Sequence, residues 1–247
     1  MSYRALGIDT SNYTTSAALY CDGRVTQSKR LLPVAPGQLG LRQSEAVFAH
    51  VKALGDVAGT LLRGEGHVPN SVGVSCAPRN VEGSYMPCFL TGVMAAEVSA
   101  AALGVPLHRF SHQQGHIAAA LYGAAQLNWM TERFVAFHLS GGTTECVLIE
   151  SLAQGRMTLI SKTNDLNAGQ VVDRVGHMLG LSFPAGAALD TLARQSERSF
   201  QIRPTMMGGN PCLSGVENQC ADRVKRGESP ADVANFCIQS ILAALSG

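Results

Sequence analysis

Apolar and polar positions along this chain follow two periods, one typical of strands and one typical of helices. In the first half, short apolar or alternating runs predict strands over residues 4–8, 16–20 and 72–76. Between the second and third of these, an amphipathic helix ending at Gly64 is predicted. Its apolar residues recur at helical spacing and are Val47, Val51, Leu54, Ala58 and Leu61.

A second helix is predicted from about residue 85 to residue 103, because the apolar run there ends at Gly104. Pro106 then favours an extended segment over residues 105–110. Strands and helices alternate in this half, which predicts an α/β layer of about 125 residues, a normal size for one domain.

The second half predicts fewer strands than a sheet of usual size, which has about five. The predicted strands cover residues 134–139, 145–150 and 157–163. A helix follows over residues 169–179, and a Gly and Pro-rich turn over residues 180–186. The last helix is capped by Ser229, begins with Pro230 and has an apolar stripe formed by Val233, Phe236, Cys237, Ile241 and Leu245. We expect a lobe that is incomplete or is completed by another chain.

A short internal repeat links the two halves. Residues 11–20 and 140–149 lie 129 positions apart and share Ser at the first place, Thr-Thr at the fourth and fifth, and Leu at the ninth. A predicted strand precedes each copy and another strand follows its turn. The repeat predicts two strand, turn, strand units and therefore a duplicated fold.

Composition narrows the class of protein. Hydrophobic residues make up 46% of the 247 residues and charged residues 15%, so the chain can bury real cores. The formal net charge of +1 gives no strong global field toward nucleic acid or anionic lipid. The longest apolar tract, residues 92–105, contains Glu97 and is too short to span a bilayer. We expect a cytoplasmic protein without a membrane segment or signal peptide, whose seven scattered cysteines are reduced.

Two histidines are candidate metal ligands. His112 and His116 lie four apart at the start of a predicted helix, so their imidazoles project from one face. That geometry suits two ligands of one divalent metal, although spacing alone favours ordinary solvated or core histidines. A zinc protease needs a Glu directly after the first His as general base, and Gln113 occupies that place. Protease chemistry is therefore disfavoured.

A Gly-rich turn and two carboxylates are candidates for nucleotide binding. Residues 140–144, Ser-Gly-Gly-Thr-Thr, follow a strand, where glycine lets backbone N–H groups approach phosphate oxygens. Together with residues 11–15, this turn would clamp a nucleotide between two lobes. Asp173 could accept hydrogen bonds from ribose hydroxyls or be an ordinary solvated helix carboxylate. Asp9 could orient water or metal, or only cap its turn.

The segments GIDTS, SHQQGH, LSGGTTE, NAGQVVDRVGHMLGLSFPAG and CLSG follow one another across nearly the whole chain. In their order and spacing the chain resembles the TsaD family of tRNA threonylcarbamoyladenosine transferases, once called O-sialoglycoprotein endopeptidases. The resemblance implies an α/β fold of the actin-like ATPase (ASKHA) type, a duplication of two ribonuclease-H-like lobes. We expect residues 1–127 to form the first lobe, with the HxxxH helix, and residues 128–247 to form a second lobe that stops before its last strands.

The resemblance also implies a reaction and its ligands. A threonylcarbamoyl group moves from threonylcarbamoyl-adenylate to the adenosine next to the anticodon of a tRNA, and AMP is released. One divalent ion, iron or zinc, is expected on His112 and His116. The adenylate, or another adenine nucleotide, is expected on residues that match the substrate-binding positions of the family, namely Leu139, Ser140, Gly141, Gly142, Asp173 and Gly186. No catalytic residue is assigned.

The chain departs from the family pattern at several polar positions. Tyr13 and Thr14 replace an acidic pair, Thr143 replaces a histidine, and Gln114 replaces a glutamate. A C-terminal nucleotide loop and an aspartate that is the third metal ligand of the family are expected beyond residue 247. Two functions therefore stay open, the transferase itself and a divergent non-catalytic paralogue that binds an adenine nucleotide or a partner subunit.

Macromolecular partners are expected by the same resemblance. They are tRNA, whose binding is shared with other subunits, a related scaffold subunit and a small ATPase. The near-neutral charge of the chain is consistent with a shared tRNA-binding task.

Overall fold

The computed structural model describes residues 2–11, 13–33, 41–65 and 68–247. The chain divides into two compact units. Unit 1 comprises residues 1–131 together with the turn Leu152–Gly155, and unit 2 comprises Glu132–Ser151 and Arg156–Gly247. The expected boundary after residue 127 and the expected incompleteness of the second lobe stay predictions.

A five-stranded mixed sheet organises unit 1. Its strands are β1 (Arg4–Asp9), β2 (Thr14–Cys21), β3 (Arg24–Leu31), β4 (Ser71–Ala77) and β5 (Leu107–Ser111). They lie in the order β3-β2-β1-β4-β5, in which the first three strands form an antiparallel meander. Strands β4 and β5 are parallel to β1, so the carboxyl ends of three strands meet at one edge of the sheet. This edge carries Asp9 and Ser111.

Three helices complete unit 1, namely α1 (Gln43–Glu65), α2 (Phe89–Leu103) and α3 (His112–Gly123), followed by a short 3-10 turn over Leu127–Thr131. The core joins inward residues of the strands, such as Leu6, Leu19 and Val74, to Leu54 of α1 and Ala96 of α2. Burial of these side chains from water is the main stabilising contribution to the unit.

Unit 2 repeats the antiparallel meander and surrounds a separate core. Its sheet has the order β6-β7-β8, formed by β6 (Phe134–Leu139), β7 (Thr144–Ser151) and β8 (Arg156–Lys162). The helices are α4 (Ala168–Met178), α5 (Gly186–Ala193), α6 (Ser214–Lys225) and α7 (Pro230–Ser246), and the short strands β9 (Met206–Met207) and β10 (Asn210–Pro211) pair with each other. The four helices share one core, which includes Val171, Leu189, Cys220 and Phe236.

The predicted repeat of strand, turn and strand is confirmed within each unit. Strands β1 and β2 form one antiparallel hairpin and strands β6 and β7 the other. Asn12, inside the first turn, lies outside the described residues. The predicted last helix is confirmed as α7, whose cap Ser229 accepts a hydrogen bond from Asp232 N at 3.1 Å.

Two predicted helix bounds and one position of a predicted apolar stripe were wrong. Helix α2 begins at Phe89 rather than near residue 85, because the residue before Pro87 is disfavoured in helical conformation. Gly64 lies inside α1 and does not end it. The buried side of α1 passes through His50, whereas Val51 of the predicted stripe is 56% exposed.

The sequence prediction lacked the short strands β9 and β10, the 3-10 turn and three longer elements. Strand β3 lies at the edge of its sheet and exposes most of its residues, so it lacks a clear apolar pattern. Helices α5 and α6 follow turns rich in small residues. All seven cysteines belong to the described ranges, and none of them forms a disulfide there. Within those ranges no helix is both long enough and apolar enough to cross a membrane.

Candidate functional site

The start of α3 is fixed by a capping box. Ser111 is the N-cap, and its Oγ accepts a hydrogen bond from Gln114 N at 3.2 Å. In return, Ser111 N donates to Gln114 Oε1 at 2.8 Å. This reciprocal pair satisfies two backbone donors at the helix end and makes His112 the first helical residue. His116 follows one turn later.

The imidazoles of His112 and His116 converge. Their Nε2 atoms lie 2.8 Å apart, and their ring centroids lie 4.3 Å apart. The buried Phe89 ring packs against His112 in a T-shaped arrangement, with 6.2 Å between centroids. Two imidazole nitrogens that point at one spot can share a proton or bind one metal ion.

Asp9, the last residue of β1, holds the other nitrogen of His112. His112 Nδ1 donates to Asp9 Oδ2 at 2.9 Å. Asp9 Oδ1 accepts from Ser11 N at 2.8 Å and also from the Ser11 hydroxyl. Burial by itself would raise the pKa of Asp9, but the hydrogen bond and charge of His112 and the hydroxyls of Ser11 and Ser75 hold that pKa well below its usual range. The carboxylate is therefore ionised at neutral pH.

The histidine pair fits a metal ion as a two-nitrogen donor set. The Nε2 atoms of both rings point to the same place. The Asp9 carboxylate accepts from Nδ1, the other nitrogen of His112, and so orients the ring, as is usual around metal-binding histidines. In the described ranges, no group of three or more His, Cys, Asp or Glu side chains converges in a way that could hold a metal. The candidate site at the start of α3 therefore rests on the two converging histidines.

Gln113 and Gln114 have no acid-base role in this arrangement. Both are buried, and Gln114 is occupied by the capping box and by a hydrogen bond from its Nε2 to Leu152 O at 3.2 Å. A carboxamide in these positions cannot accept a proton from metal-bound water. These two side chains therefore supply no general base of the kind that a zinc protease needs.

In unit 2, the turn after β6 packs against the start of α4. Ser140 O accepts from Gly169 N at 3.1 Å, and Thr144 Oγ1 accepts from Ala168 N at 2.7 Å. A Cβ atom at Gly169 would lie 2.5 Å from Gly141 N, so only glycine permits this approach. A Cβ atom at Gly141 or Gly142 would meet no described atom within 4 Å. The inner side of the turn is therefore filled by α4, while its outer side is open.

The other predicted residues of unit 2 lie on α4 or on the elements next to it. Asp173 is one turn after Gly169 on the same face of α4. Its Oδ1 accepts from Ala185 N at 2.9 Å, immediately before Gly186, the first residue of α5. Leu139 is the last residue of β6 and pairs with Thr144 across the hairpin. One face of α4 thus assembles the turn at residues 140–142, Asp173 and the start of α5.

Two residues that organise these sites are not indicated by the sequence pattern. Ser11, which the pattern places only in a turn, has its Oγ 3.5 Å from His112 Nε2. The carboxylate of Asp165 accepts hydrogen bonds from Leu213 N at 2.7 Å and from Ser214 N at 3.1 Å. Asp165 therefore fixes the segment Cys212-Leu-Ser-Gly215, in which α6 begins. The signal available in the sequence was an acidic residue near the end of a predicted strand, namely Asp9 beside Ser11 and Asp165 after the third strand of the second half.

Comparisons with known proteins place the chain in a family. Residues 46–246 match the family model TsaD, described as tRNA N6-adenosine threonylcarbamoyltransferase. Proteins of that name from two strains of Thermus thermophilus are each 31% identical to this chain over 251 residues. The aligned region covers 98% of this chain and 73% of each relative.

Solved structures show the fold. HypF of T. kodakarensis superposes with a TM-score of 0.52 at 13% identity, over 99% of this chain and 39% of that chain. YeaZ from Pseudomonas aeruginosa has a TM-score of 0.41 at 19% identity and covers 64% of each chain. The mixed α/β fold of actin-like type expected from the sequence is confirmed. Because the family model matches residues 46–246, which are most of the chain, the chain belongs to the TsaD family of tRNA N6-adenosine threonylcarbamoyltransferases.

Proposed function

We propose that this chain is a tRNA threonylcarbamoyl transferase. It transfers threonylcarbamoyl from threonylcarbamoyl-adenylate to N6 of the adenosine next to the anticodon. The bond from N6 to the carbamoyl carbon forms as the bond from that carbon to the phosphate oxygen breaks. AMP leaves, and the proton that N6 loses passes to solvent. The observation that carries this proposal is the convergence of His112 and His116 in a chain that matches the family model.

The proposed metal site consists of His112 and His116. Iron or zinc suits two neutral imidazole nitrogens, and such an ion, when bound, is a Lewis acid that polarises a carbonyl or phosphoryl oxygen. The chain itself holds the two rings at a fixed separation, because α3 begins at a capped position and Asp9 holds His112.

The proposed adenylate site lies along α4. The open outer side of the turn would receive the phosphate, with backbone N–H groups of residues 140–142 as donors and Leu139 as the preceding strand residue. Asp173 Oδ1 accepts a hydrogen bond from Ala185 N, and Asp173 Oδ2 would accept one from a ribose hydroxyl. Gly186, which carries no side chain, would let the ligand approach the start of α5 closely.

We propose that further strands pair with the outer edge of β6. The counterpart of β6 in unit 1 is β1, which pairs with β2 on one side and with β4 on the other.

Partner subunits are proposed to share the binding of the tRNA. A related scaffold subunit and a small ATPase are expected from the family, in the cytoplasm. Helix α2 exposes Leu90, Met94 and Val98 at four-residue spacing, an apolar row that a partner would bury.

Elemental analysis combined with a transfer assay tests the function. His112→Ala and His116→Ala should each lower the bound metal and the formation of modified tRNA from threonylcarbamoyl-adenylate. His108→Ala is the matched control, because His108 is exposed on β5 and stacks on Phe110. Unchanged metal content in the double histidine variant would remove the ligand assignment.

A binding assay separates the transferase from the non-catalytic paralogue. Gly142→Val should weaken adenine nucleotide binding, because its side chain would occupy the open outer side of the turn. Nucleotide binding without any transfer, with the partner subunits present, would favour the paralogue. Equal nucleotide affinity in the wild type and in Gly142→Val would contradict the proposed adenylate site.

A further inference from the structure

The carboxylate of Asp9 connects the turn after β1 to the first residue of α3. Asp9 Oδ2 accepts a hydrogen bond from His112 Nδ1 at 2.9 Å. Asp9 Oδ1 accepts hydrogen bonds from Ser11 N at 2.8 Å and from the Ser11 hydroxyl. The side chain is 24% exposed, so it lies largely out of solvent. A single carboxylate therefore fixes both an imidazole and a neighbouring hydroxyl.

The hydrogen bond to Asp9 determines which nitrogen of His112 carries the proton. A carboxylate is only an acceptor, so His112 Nδ1 must be protonated to bond to it. In the neutral ring, Nε2 then keeps its lone pair. That lone pair faces His116 Nε2 at 2.8 Å, the point at which a metal ion would be shared.

Asp9 is itself held in place through the next residue. Thr10 Oγ1 donates to Cys88 O at 2.9 Å and accepts from Gly92 N at 3.0 Å, so the turn is bound to the start of α2. Thr10 is fully buried. The carboxylate thus belongs to a turn that cannot move without breaking contacts with α2.

We propose that Asp9 is a positioning residue for the metal pair. It holds His112 in the Nδ1–H tautomer and fixes the ring so that Nε2 meets His116. This inference rests on the proposed metal site, and it assigns a role to the acid of the GIDTS segment. Partners of this kind behind a metal-binding histidine change metal affinity by about 10–100-fold.

Nitrogen NMR of the metal-free protein, labelled at histidine, tests the tautomer directly. Wild-type His112 should show a protonated Nδ1 and an unprotonated Nε2, with its signals assigned by their loss in His112→Gln. Asp9→Asn should populate the Nε2–H form, because an amide can donate to Nδ1. Asp9→Glu keeps the carboxylate and should retain the Nδ1–H form.

Titration with Zn²⁺ tests the consequence for the metal. Asp9→Asn should bind Zn²⁺ about 10–100-fold more weakly than the wild type. Asp22→Asn is the matched control, since Asp22 also accepts a backbone N–H, from Tyr3 at 2.8 Å, and should leave both tautomer and affinity unchanged. Thermal unfolding of each variant shows whether unit 1 is still folded.

The two readouts distinguish failure of the inference from failure of the metal site. Zn²⁺ binding by the wild type, with the same affinity and tautomer in Asp9→Asn, would overturn the role of Asp9 alone. A wild type that binds no Zn²⁺ would overturn the metal pair and this inference together. Loss of the Nδ1–H form and of affinity in Asp9→Asn, with both kept in Asp9→Glu, is the expected result.

Discussion

Gly92 of α2 and Thr10 of the turn after β1 are in direct contact. Gly92 N donates to Thr10 Oγ1 at 3.0 Å, and a Cβ atom at position 92 would lie 2.8 Å from the same oxygen. Because Thr10 lies between Asp9 and Ser11, this contact sets the position of the residues that hold His112. Gly92 therefore helps to position the candidate metal site, although it has no side chain and does not contact the histidines through one.

Gly92→Ala should destabilise unit 1 by about 1–3 kcal/mol, because the added methyl group displaces a Thr10 side chain held by two hydrogen bonds. Zn²⁺ affinity should fall with it. Gly55→Ala is the control: Gly55 is exposed inside α1, a Cβ there meets no described atom within 4 Å, and alanine should stabilise by about 0.5–1 kcal/mol. Denaturant unfolding measures both. A Gly92→Ala variant as stable as Gly55→Ala would contradict the contact.

Gly169→Ala should move the turn at residues 140–142 away from α4, because the new Cβ would lie 2.5 Å from Gly141 N. Adenine nucleotide affinity should fall about tenfold or more, equivalent to about 1.4 kcal/mol, as measured by calorimetry. Gly215→Ala is closely matched, since Gly215 is likewise the second residue of a helix, α6, and a Cβ there meets no described atom within 4 Å. Equal losses in the two variants would argue against the turn as the phosphate site.

Asp173 should show separable roles in stability and in binding. Asp173→Ala removes the acceptor of Ala185 N–H and should cost about 1–2 kcal/mol of unfolding free energy. Asp173→Asn keeps an acceptor oxygen and should be close to wild type in stability, yet bind adenine nucleotide more weakly. Asp190→Asn, in an exposed ion pair with Arg194, is the binding control. Full affinity in Asp173→Asn would restrict Asp173 to a structural role.

Unit 2 should lose stability in acid through Asp165. Burial by itself would raise the pKa of Asp165, but hydrogen bonds from the Ser214 hydroxyl and from the backbone of Leu213, Leu166 and Ser214 hold that pKa below its usual range. A lowered folded pKa stabilises the fold above the unfolded value of about 3.9, and the contribution disappears as the pH falls through the folded value. Hydrogen exchange at Leu213 and Ser214 should therefore accelerate below about pH 4, relative to the intrinsic exchange rate at each pH.

Asp165→Asn is the variant that isolates this effect. It should exchange faster at neutral pH, by about 1 kcal/mol of local stability, and show a shallower dependence on pH in acid. Wild type and variant with the same acid dependence would remove Asp165 as its source.

Local sequence information was sufficient for most elements and for part of the site. The helical spacing of His112 and His116, the cap at Ser229 and the repeated hairpins each depend on residues close in the chain, and each is visible as a short pattern. Motif order was also sufficient for the family, because it combines several short segments. The edge strand β3 was missed because exposed strands carry no apolar alternation.

Contacts between distant residues were decided only by the tertiary structure. Asp9 and His112 are 103 positions apart, and Asp165 and Leu213 are 48 apart. Nothing in the local pattern distinguishes these carboxylates from solvated ones, because a hydrogen bond depends on where two segments meet and not on the residues beside each partner. The sequence determined which residues could bind a metal or a nucleotide. The packing of α2, α3 and α4 determined how those residues are held.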